Sequence, residues 1–104
     1  MQNDEHVAML ARGAAAWNER RTKLDETPDL SRAGLRGRDL SGFDLSRADL
    51  RGADLRGTNL CDADLSYANL DGAEGLTQAQ LDRAHCNSGT KLPAGFTGVK
   101  DANR

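Results

Sequence analysis

The side chains able to do chemistry in this chain are two histidines, two cysteines and a regular series of aspartates. His6 and His85 stand near opposite ends, and neither has a cysteine, serine or carboxylate at the spacing of a metal site or a nucleophile–base pair. Each is read as a surface residue. Cys61 and Cys86 form no CxxC pair and no zinc pattern, so both are expected to be free, structurally incidental thiols of a reducing compartment. Asp39, Asp44, Asp49, Asp54 and Asp64, with Asn59 and Asn69, recur every fifth residue. Acid–base catalysis needs two carboxyl groups in unlike environments, and a repeated exposed column offers none. Short polar side chains in front of turns have a simpler use, which is to accept hydrogen bonds from turn amides. The glycines after the leucines are turn glycines by the same argument; a phosphate loop would need a strand-to-helix setting. No catalytic residue, bound metal or cofactor is expected.

The element that positions these residues is a leucine period. Leu30, Leu35, Leu40, Leu45, Leu50, Leu55, Leu60, Leu65 and Leu70 follow one another at five-residue intervals. A helix turns about 100° per residue, so this spacing would scatter leucines around its whole circumference. A straight strand alternates faces, so an odd spacing would send successive leucines to opposite sides. The chain must therefore bend once per repeat. Leucine and the residue two before it, alanine at 33, 48, 53, 63, 68 and 73, can both point inward, which leaves the residue between them outside. A side of about three extended residues is roughly 10 Å long, so a closed polygon of such sides is filled by its leucines. The nine leucines are the expected core of a solenoid whose unlike ends act as caps.

Ala48-Asp49-Leu50-Arg51-Gly52, Ala53-Asp54-Leu55-Arg56-Gly57, Ala63-Asp64-Leu65-Ser66-Tyr67 and Ala68-Asn69-Leu70-Asp71-Gly72 resemble the units of pentapeptide-repeat proteins. The likeness covers about residues 28–73, and the flanks are similar to those of short stand-alone bacterial arrays. It implies a β-solenoid: a right-handed quadrilateral β-helix with four repeats, or twenty residues, per coil, hence about two coils here. Departures are Pro28 and Asp29 at the start, Gly34 in place of Asp, and Arg38 and Phe43 where a small inward residue is expected. A buried guanidinium is costly unless paired. Arg38 is therefore expected to reach past the edge of the first coil, under the N-terminal segment.

Two coils have much end and little middle, so the flanks are expected to be caps. Three regions result: an N-terminal capping helix within residues 1–27, the repeat β-helix over 28–75, and a capping helix with an extended tail over 76–104. From residue 4 to about 23 the chain reads as one helix of about five turns, with Val7, Leu10, Ala14, Trp17 and Leu24 on its apolar stripe. Trp17 and Leu10 are its anchors on the open end of the first coil. Thr77-Gln78-Ala79-Gln80 reads as a capping box opening a short helix to about residue 85, with Leu81 and Ala84 toward the last coil. Thr90-Lys91-Leu92-Pro93 reads as an extended segment over that coil's edge, and disorder is expected beyond Gly95.

The 104 residues carry a formal charge of −2, which gives no general reason to expect nucleic acid or an anionic membrane as partner. Mean hydropathy is −0.67, no run approaches a membrane span, and the first residues lack the features of a secretion signal, so a cytoplasmic protein is expected. Twenty-residue stacking puts Arg36 beside Arg56, Asp44 beside Asp64, Ser41 beside Cys61, and Arg47 beside Tyr67, the last as a cation–π pair. Arginine and tyrosine are favoured at protein interfaces, which makes Arg36, Arg56, Arg51, Arg47 and Tyr67 the candidate interaction surface. The expected function is a non-enzymatic scaffold or adaptor for an unidentified protein partner, as a monomer or weak homodimer. The resemblance also implies an alternative, a DNA mimic that inhibits or protects a DNA-binding enzyme such as gyrase. That role requires a long negative surface, because duplex DNA carries a charge about every 1.7 Å. Two arginine-studded coils supply it poorly.

Overall fold

A computed structural model describes residues 4–96 of the chain. Among these residues three helices, α1 (Asp4–Leu10), α2 (Ala14–Lys23) and α3 (Gln78–Arg83), flank a coil whose sides pair in parallel. The pairs Asp29 with Asp49, Gly34 with Asp54, Asp39 with Asn59 and Asp44 with Asp64 each span twenty residues, so one coil has four five-residue sides. Each pairing is an isolated bridge, and among the described residues no longer strand forms.

The bend at every repeat is a β-turn. The amide three residues after each leucine donates to that leucine's carbonyl, as from Ala33 to Leu30 at 3.1 Å and from Ala73 to Leu70 at 3.0 Å. The residue two after leucine has positive φ, the mark of a type II turn. Glycine occupies that position at 37, 42, 52, 57 and 72, but Arg32, Arg47, Asp62 and Tyr67 adopt φ of 60, 62, 61 and 60° without it. Such residues cost roughly 1–2 kcal/mol each. Asp or Asn before leucine ties the turn down by accepting from the amide two residues on: Asp29 from Ser31, Asp39 from Ser41, Asp49 from Arg51, Asn59 from Cys61, and Asp64 from Ser66 at 2.9 Å. The repeated carboxylates are turn locks.

Inside, the nine leucines are buried at 2 % exposure or less, with alanines 33, 48, 53, 63 and 68 between them. Burial of each leucine stabilises by about 1.5–3 kcal/mol. Phe43, at a position expected to be small, is buried because it lies in the first coil, with a helix rather than another coil above it. Its ring centroid lies 6.0 Å from that of Trp17.

The N-terminal segment departs from the expected single helix. Gly13, at φ 94°, breaks it into α1 and α2. α2 stops at Lys23, and Leu24 turns extended and stands 48 % exposed instead of joining the buried stripe. Leu10 and Trp17 are the buried anchors. Val7 and Ala14 are partly buried against the core. His6, expected at the surface, is buried as well. Its Nδ1 accepts from the Asp29 amide at 3.0 Å and its Nε2 meets Glu26 Oε2 at 3.3 Å, so neither nitrogen is stranded by burial. Arg20 joins Glu26 to Glu5 beside it.

The C-terminal segment continues the coil. α3 ends at Arg83, short of the expected residue 85, because His85 pairs with Asp64 and Lys91 pairs with Asn69. Leu81 is buried under α3 and Ala84 is partly buried. Cys86 is fully buried, one residue after His85 as Leu65 is one after Asp64, so it takes a leucine's place in the stack. Phe96 is partly buried against the core; the disorder expected beyond Gly95 otherwise falls outside the described residues.

Candidate functional site

Each end of the coil exposes backbone groups that a further coil would have paired, and the flanks satisfy them with side chains. At the N-terminal end Asn18 acts as a substitute peptide unit: its Oδ1 accepts from the Asp44 amide at 2.8 Å and its Nδ2 donates to the Gly42 carbonyl at 2.9 Å. Trp17 Nε1 and Arg21 Nη1 both donate to the Asp44 carbonyl, at 2.7 and 2.8 Å, and Arg21 Nη2 reaches the Ser46 carbonyl at 2.9 Å. His6 performs the same service for the Asp29 amide. These residues cover the first and fourth sides, those of Asp29 and Asp44. On the second and third sides the amides of Gly34 and Asp39 meet no such partner among the described residues.

At the C-terminal end the third side is again the exception. Eight of the nine period leucines donate their amide to the following coil, including Leu55 to Glu74 at 2.8 Å, Leu65 to His85 at 2.7 Å and Leu70 to Lys91 at 2.7 Å. Leu60 donates to no acceptor of the described residues. The residues one coil further along, Gln78–Arg83, form α3 instead of an extended side. Gln80 patches part of the gap: its Nε2 donates to the carbonyls of Leu55 at 2.8 Å and Thr58 at 2.9 Å, while its Oε1 accepts from the Thr77 amide at 2.7 Å as the capping box requires. The result is a cleft of about 380 Å³ lined by Gly57, Thr58, Asn59, Leu60, Thr77, Ala79, Gln80 and Arg83. Arg83 is its single charged residue and has no ion pair among the described residues.

The five arginine and tyrosine candidates do not form one face. Arg36 and Arg56 share the corner between the second and third sides, since the Gly37 amide donates to the Arg56 carbonyl at 2.9 Å. Arg51 lies on the corner between the first and second sides and is held by its own turn, with Nε to Asp49 Oδ1 at 2.9 Å and Nη2 to Oδ2 at 2.8 Å. That pair holds the Asp49 carboxyl below, and the Arg51 guanidinium above, their ordinary values. Arg47 and Tyr67 are on a third corner. Their expected cation–π contact is not among the aromatic contacts of the described residues. Tyr67 instead lies against Gly89 on its C-terminal side, so closely that a β-carbon on Gly89 would overlap the ring. Arg36 is the least restrained of the group: Gly34 stands where an Asp lock would be, and Arg36 has no ion pair among the described residues. Arg56 only approaches Asp54, at 3.6 Å. Arg38 is half-buried at the N-terminal end of the same third side and forms no ion pair among the described residues.

The other chemically able groups are dispersed. His85 is exposed, 3.6 Å from Asp62, and no cluster of three potential metal ligands occurs among the described residues. Cys61 is partly exposed and Cys86 is buried, both as free thiols; burial pushes the Cys86 thiol up to about 11. Asp39 is held below the usual carboxylate range by the Ser41 hydroxyl and amide.

The family model for pentapeptide repeats matches eight copies in this chain, over residues 29–66 and 44–74. This is a pentapeptide-repeat protein. The repeats imply a right-handed β-helical solenoid in general, which agrees with the parallel twenty-residue pairing. No curated protein and no solved structure matches the chain. No helix among the described residues is long and apolar enough to cross a membrane. In this pentapeptide-repeat protein the sequence singled out the corner of Arg36 and Arg56 but missed the cleft beside it. Nothing in the five-residue period marks Leu60 as different, and only the loss of the period after Ala73 signals that one of its neighbours will be missing.

Proposed function

We propose that this protein is a non-enzymatic scaffold, a right-handed quadrilateral β-helix that binds another protein through the third side of its coil. One observation carries the reading: the amides of Asp39 and Leu60, at opposite ends of that side, have no partner among the described residues, and the side is bordered by Arg36, Arg56 and Arg83. Solenoids of repeated units bind through extended continuous surfaces. Arginine at interfaces contributes planar hydrogen bonding to carboxylates, which suits a partner with acidic groups. Arginines also stand at 32, 36, 47, 51 and 56 on three of the four corners, and so break up any surface negative enough to imitate DNA.

The test is a pulldown from native lysate with wild type, Arg36→Glu/Arg56→Glu and Arg51→Glu. The double variant is expected to lose partners that wild type and Arg51→Glu retain. Equal recovery by all three removes the third side as the binding surface.

A further inference from the structure

We propose that the cleft between α3 and the third side is a docking slot for an extended acidic peptide segment of another protein. Its main chain would add to the coil as the missing neighbour of Leu60. This deepens the scaffold reading and rests on it, since it names the chemistry of the partner at that same side.

On the other three of the last four repeat sides an extended residue further along the chain sits above the leucine, accepts its amide and returns a hydrogen bond to the carbonyl two residues before it. Glu74 does this for Leu55 and Ala53, His85 for Leu65 and Ala63, and Lys91 for Leu70 and Ala68. On the third side Gln80 supplies the returning bond to Thr58, but the Leu60 amide has no acceptor among the described residues. Gly34 and Asp39 are exposed residues, whereas Leu60 is only 2 % exposed and lines the cleft. A buried donor is costly to leave unmade, so an incoming carbonyl is favoured there. Addition of an extended segment to an unpaired edge is a general mode of peptide recognition, with main-chain bonds supplying affinity and side-chain contacts supplying choice.

Charge decides the kind of segment. The cleft lining contains one cation, Arg83, and no carboxylate, although the whole chain carries −2. Arg83 lies at the C-terminal end of α3, with its own carbonyl accepting from the Asp62 amide at 2.9 Å, so its backbone is fixed while its guanidinium has no ion pair among the described residues. Next to the Gly57 end of the cleft stands Arg56, stacked on Arg36. A segment that places a carbonyl on Leu60 and a carboxylate on Arg83 satisfies both groups. Lysine or arginine in that position would meet like charge.

The full chain, labelled with ¹⁵N, is titrated with Ac-Val-Glu-Val-Glu-Val-amide and with the peptide in which lysine replaces glutamate. Saturable amide shifts confined to the neighbourhood of Leu60 and Arg83 are expected, with at least about tenfold tighter binding of the glutamate peptide, a difference of about 1.4 kcal/mol. Amide exchange at Leu60, expected to be the fastest of the nine period leucines in the free protein, should slow when the peptide is present. Arg83→Glu should abolish the preference for glutamate, and Arg83→Gln should reduce it. Absence of saturable shifts, equal binding of both peptides, or an unchanged preference in Arg83→Glu overturns the proposal. The scaffold reading is judged separately: if Arg36→Glu/Arg56→Glu loses its partners while the peptide does not bind, the scaffold stands and the slot does not.

Discussion

Replacing Gln80 with glutamate separates two roles that the sequence presents as one. Glu and Gln serve equally at the third position of a capping box, because the box uses only an oxygen. In Gln80→Glu the Thr77 amide therefore keeps its acceptor, now at 2.7 Å in the native protein. The two donated bonds to Leu55 and Thr58, at 2.8 and 2.9 Å, are lost, and a carboxylate oxygen is turned toward two carbonyls. Two neutral hydrogen bonds at about 0.5–1.5 kcal/mol each amount to roughly 1–3 kcal/mol. An acidic group in the first turn of a helix returns about 0.3–1 kcal/mol, which does not offset the loss. The expected net destabilisation is about 1–2 kcal/mol. In a domain of this size that is a fall in Tm on the order of 5–15 °C by circular dichroism. Gln80→Ala, which removes the cap as well, should fall further. If Gln80→Glu melts at or above the wild-type temperature, Gln80 is only a helix cap and the stitched account of the third side is wrong.

Gly75→Ala is expected to cost more than about 2 kcal/mol, because its φ of 73° is strained for alanine and its β-carbon would overlap the Arg56 side chain and stand 3.1 Å from the Arg56 α-carbon; urea unfolding measures it, and a neutral result refutes it. Stability should also fall in acid. Hydrogen bonds from Arg20 and His6 to Glu26, from Ser41 to Asp39 and from Arg51 to Asp49 hold these carboxyls below their ordinary values, so their contribution is present above about pH 4.5 and is lost as pH falls through the lowered values. Unfolding midpoints that stay level between pH 6 and about pH 3 would contradict this. Iodoacetamide at about pH 8 should modify Cys61 and spare Cys86, whose thiol is buried and pushed up to about 11; one adduct per native chain by mass spectrometry is the expected result, and two would refute it.

The period made the core, the turns and the structural duty of the aspartates legible, since each follows from one five-residue geometry repeated without a slip. The last coil was harder to read because its pairings lengthen to Asp64 with His85 and Asn69 with Lys91, after a helix and a turn have been inserted. A signal was nonetheless there: Ala84-His85-Cys86 and Thr90-Lys91-Leu92 repeat the inward–outward–inward pattern of Ala63-Asp64-Leu65. A lone cysteine outside the period does not announce itself as a core residue, although cysteine behaves as a small hydrophobe when buried. The burial of His6 had no sequence signal, as it depends on an amide of the first repeat finding a ring nitrogen on a separate helix. The arginines and Tyr67 divide among three corners, and sequence spacing gives columns but not the corner each column occupies.

The central claim, that the third side is the binding side, is tested most directly by photo-crosslinking in cells. A photoreactive amino acid is placed at Asn59 on the third side, at Asp49 on the first and at Asp64 on the fourth, all outward-facing positions of the same coil. A discrete adduct with another protein from position 59, absent from positions 49 and 64, is the expected result. Adducts of equal strength from all three, or from 49 or 64 but not 59, would contradict it.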